Sequence, residues 1–217
     1  MFDPRTLWSL PKHQARLVHE FIFHPAAYIH PQRLEAVWPG PQSHRPTNPD
    51  QDTALSAAIV AAFDLSDKVE LDLHLPLHQV ALLGTAELAR LAHRCEVLAL
   101  APDLRRIILR REIEALQTCL GPEDWDLVFA ADVAVPQGAE APVWPNAGEL
   151  LQAFGVLGWQ VLEAAFVRLP DSVSRRACLK LPVSQPLDAH RTPWALGLVE
   201  SAWHMSQRTA EPAEVAT

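Results

Sequence analysis

A hydrophobic period of 3.6 residues recurs along this chain, and it limits the fold more than any other feature. "TAELARLAHRCEVLAL" sets Leu88, Leu91, Ala92, Cys95 and Leu98 on one stripe, the spacing of an amphipathic helix, with Thr85 as its N-cap. "PDLRRIILRREIEALQTCLG" continues the pattern through Ile108, Leu109, Ile113, Leu116 and Leu120 and stops at Gly121. In "GPEDWDLVFAA", Pro122 falls in a first helical turn, with acids near the positive end of the helix dipole. "NAGELLQAFGVLGWQVLEAAFVRLP" predicts the most apolar helix, opened by Asn146 and Glu149 at capping-box spacing and closed before Pro170. "DTALSAAIVAAFDL" is helical by the same pattern, and so is "TPWALGLVESAWHMSQR", capped by Thr192 with Pro193 next.

One segment departs from the period. "KVELDLHLPLHQV" alternates, with Val69, Leu71, Leu73, Leu75 and Leu77 on one side and Glu70, Asp72, His74 and His78 on the other. That is the period of a half-buried strand, which Pro76 would end or confine to an edge. Its candidate partners are "WDLVFAADVAV" and "RACLKLPV". The expected fold class is therefore mainly α, a single globular helical domain with a small β element near residues 69–77. Pro-rich stretches at 39–52 and 134–148 read as loops. Residues 1–207 form the expected domain, and 208–217 a disordered tail.

Composition narrows the function classes. Of 217 residues, 49% are hydrophobic and 20% charged, as in a folded globular protein. The net charge of −8 makes a poor generic binder of nucleic acid or anionic membrane. Three lysines stand against fifteen arginines, a skew that suits bidentate contacts and also follows from high genomic G+C. The three cysteines (Cys95, Cys119, Cys178) form no CxxC, so reduced thiols are expected. The N-terminus has no apolar signal core, and no stretch approaches the ~20 apolar residues of a membrane span. A soluble, cytoplasmic protein is expected.

Catalytic chemistry is thinly represented. His74 and His78 would lie about 13 Å apart on a strand, too far to share an ion, and Pro76 argues against a common helical face. His24 and His30 each precede a proline in "FIFHPAAYIHPQRL", but no spacing selects a third ligand. No GxSxG elbow, phosphate loop or dinucleotide fingerprint occurs. Glu112/Glu114 and Asp124/Asp126 fit solvated helix faces better than acid–base pairs. No catalytic residue, metal ligand or cofactor is expected.

The residues that point to partners are arginines and tryptophans. Arg105, Arg106, Arg110 and Arg111 cluster, and on one helix Arg106 and Arg110 would face the same way. Three readings stay open: a solvated, salt-bridged face; a docking patch for an acidic protein; or, least favoured, a nucleic-acid contact. Trp125, Trp159 and Trp203 sit in helical patterns and are expected in the core. Trp8, Trp38 and Trp144 lie in Pro-rich or terminal segments, and Trp144 is a candidate partner anchor.

Two separated segments carry a family resemblance. Phe23, His24, Pro25, Tyr28, His30, Pro31, Arg33 and Leu34 resemble the N-terminal signature of the SctK family of type III secretion systems, in its YscK/PscK branch. "GWQVLEAAFVRLPDSVSRRACLKLP" is similar to the family's C-terminal segment through Gly158, Leu162, Leu169, Pro170, Arg175, Arg176, Leu179, Lys180, Leu181 and Pro182. "RRIILRREIEAL" resembles its middle, and the likeness brackets residues 20–185.

The resemblance implies a non-enzymatic cytoplasmic adaptor at the inner membrane's cytoplasmic face. It would link the cytoplasmic domain of the ring protein SctD to the pod protein SctQ, and through it to SctL and the ATPase SctN. A chaperone for secreted effectors and a His-dependent metallo-hydrolase are the alternatives. The two His-Pro pairs then read as punctuation, with prolines fixing the backbone while Tyr28 and the histidines hydrogen-bond a turn against the core.

Overall fold

A computed structural model describes residues 10–38, 49–65, 68–107, 109–129, 154–185, 187 and 192–210. Among these residues the chain is mainly helical, as its period predicts, with ten α-helices and no strand. The helices are α1 (Lys12–Phe23), α2 (Pro31–Leu34), α3 (Pro49–Ala62), α4 (Pro76–Leu82), α5 (Thr85–Leu104), α6 (Arg110–Leu120), α7 (Pro122–Phe129), α8 (Leu157–Phe166), α9 (Asp171–Leu179) and α10 (Thr192–Ala210). A 3-10 turn, Pro25–Ala27, follows α1. The chain divides into two compact units: Met1–Leu88 with Phe166–Ser184, and Ala89–Ala165 with Gln185–Thr217.

In the first unit, prolines set the boundaries. A residue before proline is pushed out of the helical region, so α1 ends at His24 (φ −125°, ψ 60°) and α2 begins after the extended His30 (ψ 138°). The chain between them turns inward and buries Ala26 and Ile29. These pack with Leu34, Leu55, Ile59, Leu65 and Leu179, against partly buried Tyr28, Val37, Val60 and Phe63. Ser56 on α3 accepts a hydrogen bond from the Ala26 N–H at 3.3 Å, so this buried backbone donor is satisfied.

The expected strand at residues 69–77 does not form. The alternation is present in the burial only as far as His74: Val69 is buried and Glu70, Asp72 and His74 are exposed, but Leu75 is exposed and His78 is buried, the reverse of the expected sides. The backbone donors, however, go to side chains. The Glu70 N–H bonds Ser172 Oγ (3.2 Å), the Asp72 N–H bonds His78 Nδ1 (3.0 Å), and the His74 N–H bonds Asp72 Oδ1 (2.9 Å). Pro76 then starts α4 at its first turn, where a missing N–H costs nothing. Of the segments proposed as partner strands, Trp125–Phe129 lies in α7 and Arg176–Leu179 in α9, while residues 130–135 lie outside the described residues.

In the second unit, the predicted α5 stripe is all buried: Leu91, Ala92, Cys95 and Leu98 here, and Leu88 just before the boundary. Thr85 is the first helical residue rather than the cap, and the Glu87 carboxylate reaches back to the Gly84 N–H at 3.1 Å. Two expected helices are interrupted. The chain leaves the helix after Leu104 and re-enters at Arg110, with Leu109 extended as the N-cap of α6. Of the helix predicted from Asn146, the Asn146/Glu149 start lies outside the described residues; within them, residues 154–156 form a turn with Gly155 at φ +89°, and α8 runs from Leu157. α6 ends at Gly121 (φ +79°) as predicted, and Pro122 opens α7. Trp125, Trp159 and Trp203, expected in the core, are half-buried, whereas Trp194 of α10 is the buried tryptophan among the described residues.

Candidate functional site

The two segments that carry the resemblance are bound to each other. The His30 N–H donates to the Leu179 carbonyl at 2.8 Å. Arg33 Nε donates to the Leu181 carbonyl at 2.8 Å, and its second guanidinium nitrogen lies 3.4 Å from the Pro182 carbonyl. The Val183 N–H donates to Gln32 Oε1 at 3.0 Å. Residues 150 positions apart in sequence thus form a clasp made largely of backbone carbonyls held by an arginine and an amide. The histidines divide the labour. His30 caps α2 weakly, its Nδ1 accepting from the Gln32 N–H at 3.4 Å, while the His24 ring meets the His19 ring tilted by 37°, with centroids 5.1 Å apart. Tyr28 donates to the Phe21 carbonyl at 2.8 Å.

Below the clasp lie two buried cations. Arg176 is 1% exposed and donates to the carbonyls of Ser172 (3.2 Å) and Ile22 (3.5 Å). Lys180 is 3% exposed. Its Nζ donates to the Ala81 and Leu83 carbonyls at 2.8 and 2.9 Å, at the C-terminal end of α4, where carbonyls lack helical partners. The ammonium also stands 5.0 and 5.1 Å from the ring centres of Phe21 and Tyr28. Burial pushes the Lys180 amine down to about 7, against the weaker pull of Glu87 and Glu20. Burial also raises the Tyr28 phenol well above its ordinary range.

The arginine cluster is split by the break between α5 and α6. Arg105 follows α5 and donates to the Val128 carbonyl at 2.6 Å, which fixes it at the end of α7. Arg106 pairs with Asp103 at 3.4 Å and Arg110 with Glu114 at 2.8 Å. Arg106 and Arg110 therefore do not share one helical face, because Leu109 between them is extended. Arg106, Arg110 and Arg111 are exposed, close in sequence to exposed Leu109. Phe129, at the end of α7, is also exposed and meets Trp125 edge-on at 5.3 Å. Trp144 lies outside the described residues.

The second unit also holds a cavity of about 370 Å³, lined by Ala89, Ala92, His93, Glu96, Phe154, Gly155, Gly158 and Trp159. Both Glu96 oxygens lie 2.9 Å from the Gly155 N–H, so this buried carboxylate sits at the start of α8. His93 Nε2 is 2.9 Å from Asp124, and its Nδ1 is 3.9 Å from Glu96. Burial raises the Glu96 carboxyl above the usual carboxylate range, opposed by backbone donors of α8 and by His93.

A family model described as YOP proteins translocation protein K (YscK) matches residues 16–207. The chain belongs to this family. No curated protein and no solved structure matches it. The YscK family is a component of type III secretion, not a known enzyme family. The match spans both halves of the clasp and the split arginine cluster. No helix among the described residues of this YscK-family chain is long and apolar enough to cross a membrane. No group of three metal-ligating side chains occurs among them either.

Sequence reasoning singled out the signature segments of the YscK-family chain but not what they do to each other. It also missed Glu96 and the cavity. A signal for Glu96 was present, since it is a lone acid inside the run "CEVLALA". Lys180, between Leu179 and Leu181, carries the same signal. The clasp gives a direct expectation. Arg33→Met keeps the stem's packing and removes the donors to Leu181 and Pro182, so urea unfolding should show a loss of about 1.5 kcal/mol. A midpoint equal to the parent's would mean the clasp contributes no stability.

Proposed function

We propose that this chain is a cytoplasmic adaptor of a type III secretion sorting platform, joining the cytoplasmic domain of SctD to SctQ and through it to SctL and SctN. The observation that carries this reading is the family match over residues 16–207. The likeness to the Pseudomonas-type PscK belongs to the same proposal. The exposed Arg106, Arg110 and Arg111 supply one docking edge, with Arg105 holding their turn against α7, and Trp144 supplies an anchor. Arginine at such an edge suits bidentate contact with an acidic partner.

Co-purification with SctD and SctQ from the same operon tests the reading. Capture of both by the parent chain is expected. In the Arg106→Glu/Arg110→Glu variant at least a tenfold weakening toward one of them is expected, with an unchanged melting curve because both side chains are exposed. Co-purification with a secreted effector in place of SctQ would favour a chaperone. Unchanged affinity in the double variant would remove the arginine edge from the adaptor reading.

A further inference from the structure

The outer face of α1 is a basic stripe on an acidic protein. Lys12, Arg16, His19 and Phe23 recur at i, i+4, i+7 and i+11, so all four stand on one side of the helix. All four are exposed, while Val18, Phe21 and Ile22 on another side are buried. The net charge of the chain is −8, yet this face carries two positive charges and an imidazole, and Glu20 is the one acid of α1. Arg16 meets Glu20 through Nε at 2.7 Å, and both side chains are exposed, so the pair is held weakly. The terminal nitrogens of the guanidinium keep donors for a second carboxylate.

Phe23 closes the stripe, and it is 54% exposed. Its ring meets His19, with centroids 5.1 Å apart and the planes tilted by 48°. Other residues of its signature segment serve the fold. Pro25 and Leu34 are buried, Tyr28 bonds the Phe21 carbonyl, and His30 and Arg33 hold the clasp. Phe23 does none of these things, so packing gives no reason for an aromatic ring at this place. A ring left in water beside cations has the composition of an interface anchor.

We propose that the outer face of α1 is a second docking surface, which takes an acidic protein segment with carboxylates opposite Lys12 and Arg16 and an apolar seat for the Phe23 ring. The proposal rests on the adaptor reading, because a chain that joins two proteins needs two separate surfaces and the arginine edge of the second unit supplies one. Charge complementarity selects the occupant. An anionic lipid surface gains little from two basic residues and repels a chain of net charge −8. A protein can set its carboxylates opposite Lys12 and Arg16 alone.

The test is calorimetry on the full chain, with the purified cytoplasmic domain of SctD and purified SctQ from the same operon. Lys12→Glu/Arg16→Glu and Phe23→Ala should each weaken binding of the same one of these proteins at least tenfold and leave the other as in the parent. The weakened partner should be one that Arg106→Glu/Arg110→Glu leaves unchanged. Added salt should weaken the parent and Phe23→Ala alike, and the charge-reversed variant much less. Melting curves should match the parent's, because these side chains are exposed, and Lys12→Gln/Arg16→Gln replaces the reversal if the latter fails to fold. Unchanged affinity for both proteins in both variants, or weakening of the arginine edge's partner instead, would overturn the proposal while the adaptor reading stands. Binding of neither protein by the parent would overturn the adaptor reading and this surface with it. Sedimentation with phosphatidylglycerol vesicles that both variants abolish, at unchanged protein affinities, would overturn the proposal in favour of a lipid surface. A parent dimer lost in both variants, again at unchanged protein affinities, would overturn it in favour of a second copy.

Discussion

Gly158→Ala should lower the stability of the protein by about 3 kcal/mol, the upper end of ordinary overpacking. An alanine Cβ at this position would come 2.0 Å from the Ala92 carbonyl oxygen and 2.6 Å from its carbon. Both are backbone atoms of α5 and cannot rotate aside, so α8 has to move off α5. At roughly 2–4 °C per kcal/mol for a chain of this size, the melting midpoint should fall by roughly 6–12 °C. Gly84→Ala is the control, because its Cβ meets only the end of the Glu87 side chain at 3.6 Å. A Gly158→Ala protein that melts with the Gly84→Ala control would show that α8 does not depend on this close approach. Gly158 is among the residues carrying the family likeness, and the packing of α8 on α5 gives that position a physical reason.

The second large effect concerns Lys180 and pH. Its amine lies at about 7 in the folded protein, against about 10.4 in an unfolded chain. Below pH 7 both states hold the proton, and the folded state carries the full cost of a buried charge. Above pH 7 the folded amine can release its proton while the unfolded one keeps it, so the unfolded state binds more protons and stability rises with pH. The slope approaches about 1.4 kcal/mol per pH unit for a single group. Between pH 7 and 9 the gain should be about 2 kcal/mol. Cys95, whose thiol is raised by burial, acts in the opposite sense once the unfolded thiol ionises, from about pH 8.5, and does so equally in the parent and in a Lys180 variant. Denaturant melts at pH 7, 8 and 9 would check this, with Lys180→Met as reference. Methionine leaves the Ala81 and Leu83 carbonyls without their donor, so the variant should be less stable, and it should lack the parent's rise of about 2 kcal/mol between pH 7 and 9. A parent protein with the same slope as Lys180→Met would mean the ammonium keeps its proton in the fold.

What the sequence disclosed depended on whether a feature belongs to side chains or to the backbone. The α5 stripe was readable because burial of Leu88, Leu91, Ala92, Cys95 and Leu98 follows from apolar side chains at helical spacing. The alternation at Val69–Leu73 was readable for the same reason, and it does describe burial. It could not report pairing, because Ser172, His78 and Asp72 take the N–H groups a strand would have used. The break after Leu104 was hidden by a hydrophobic period that runs on through it. The arginine cluster was legible as composition, but its division between two turns was not. The clasp was hidden in another way. Its acceptors are the carbonyls of Leu179, Leu181 and Pro182, and a carbonyl has no signature in sequence. The cavity beside Glu96 came from what is missing, four small residues spread over α5, α8 and the turn before α8.

The clasp has a consequence for the order in which the protein is made. Residues 10–88 leave the ribosome long before Leu179 and Arg176 exist. Phe166, where the first unit resumes, is 78 positions beyond Leu88. Leu179 is 91 positions beyond Leu88, so at roughly 5–20 residues per second the early part waits roughly 5–18 seconds for it. During that interval Ile29, Leu34, Leu55 and Ile59 lack Leu179, the member of their cluster that comes from the far end. A chain cut short before Lys180 also lacks the ammonium that closes α4. The nascent first half is thus an apolar surface waiting for its last strip. Translation that stalls between residues 89 and 165 leaves a product that aggregates or is degraded rather than a working fragment.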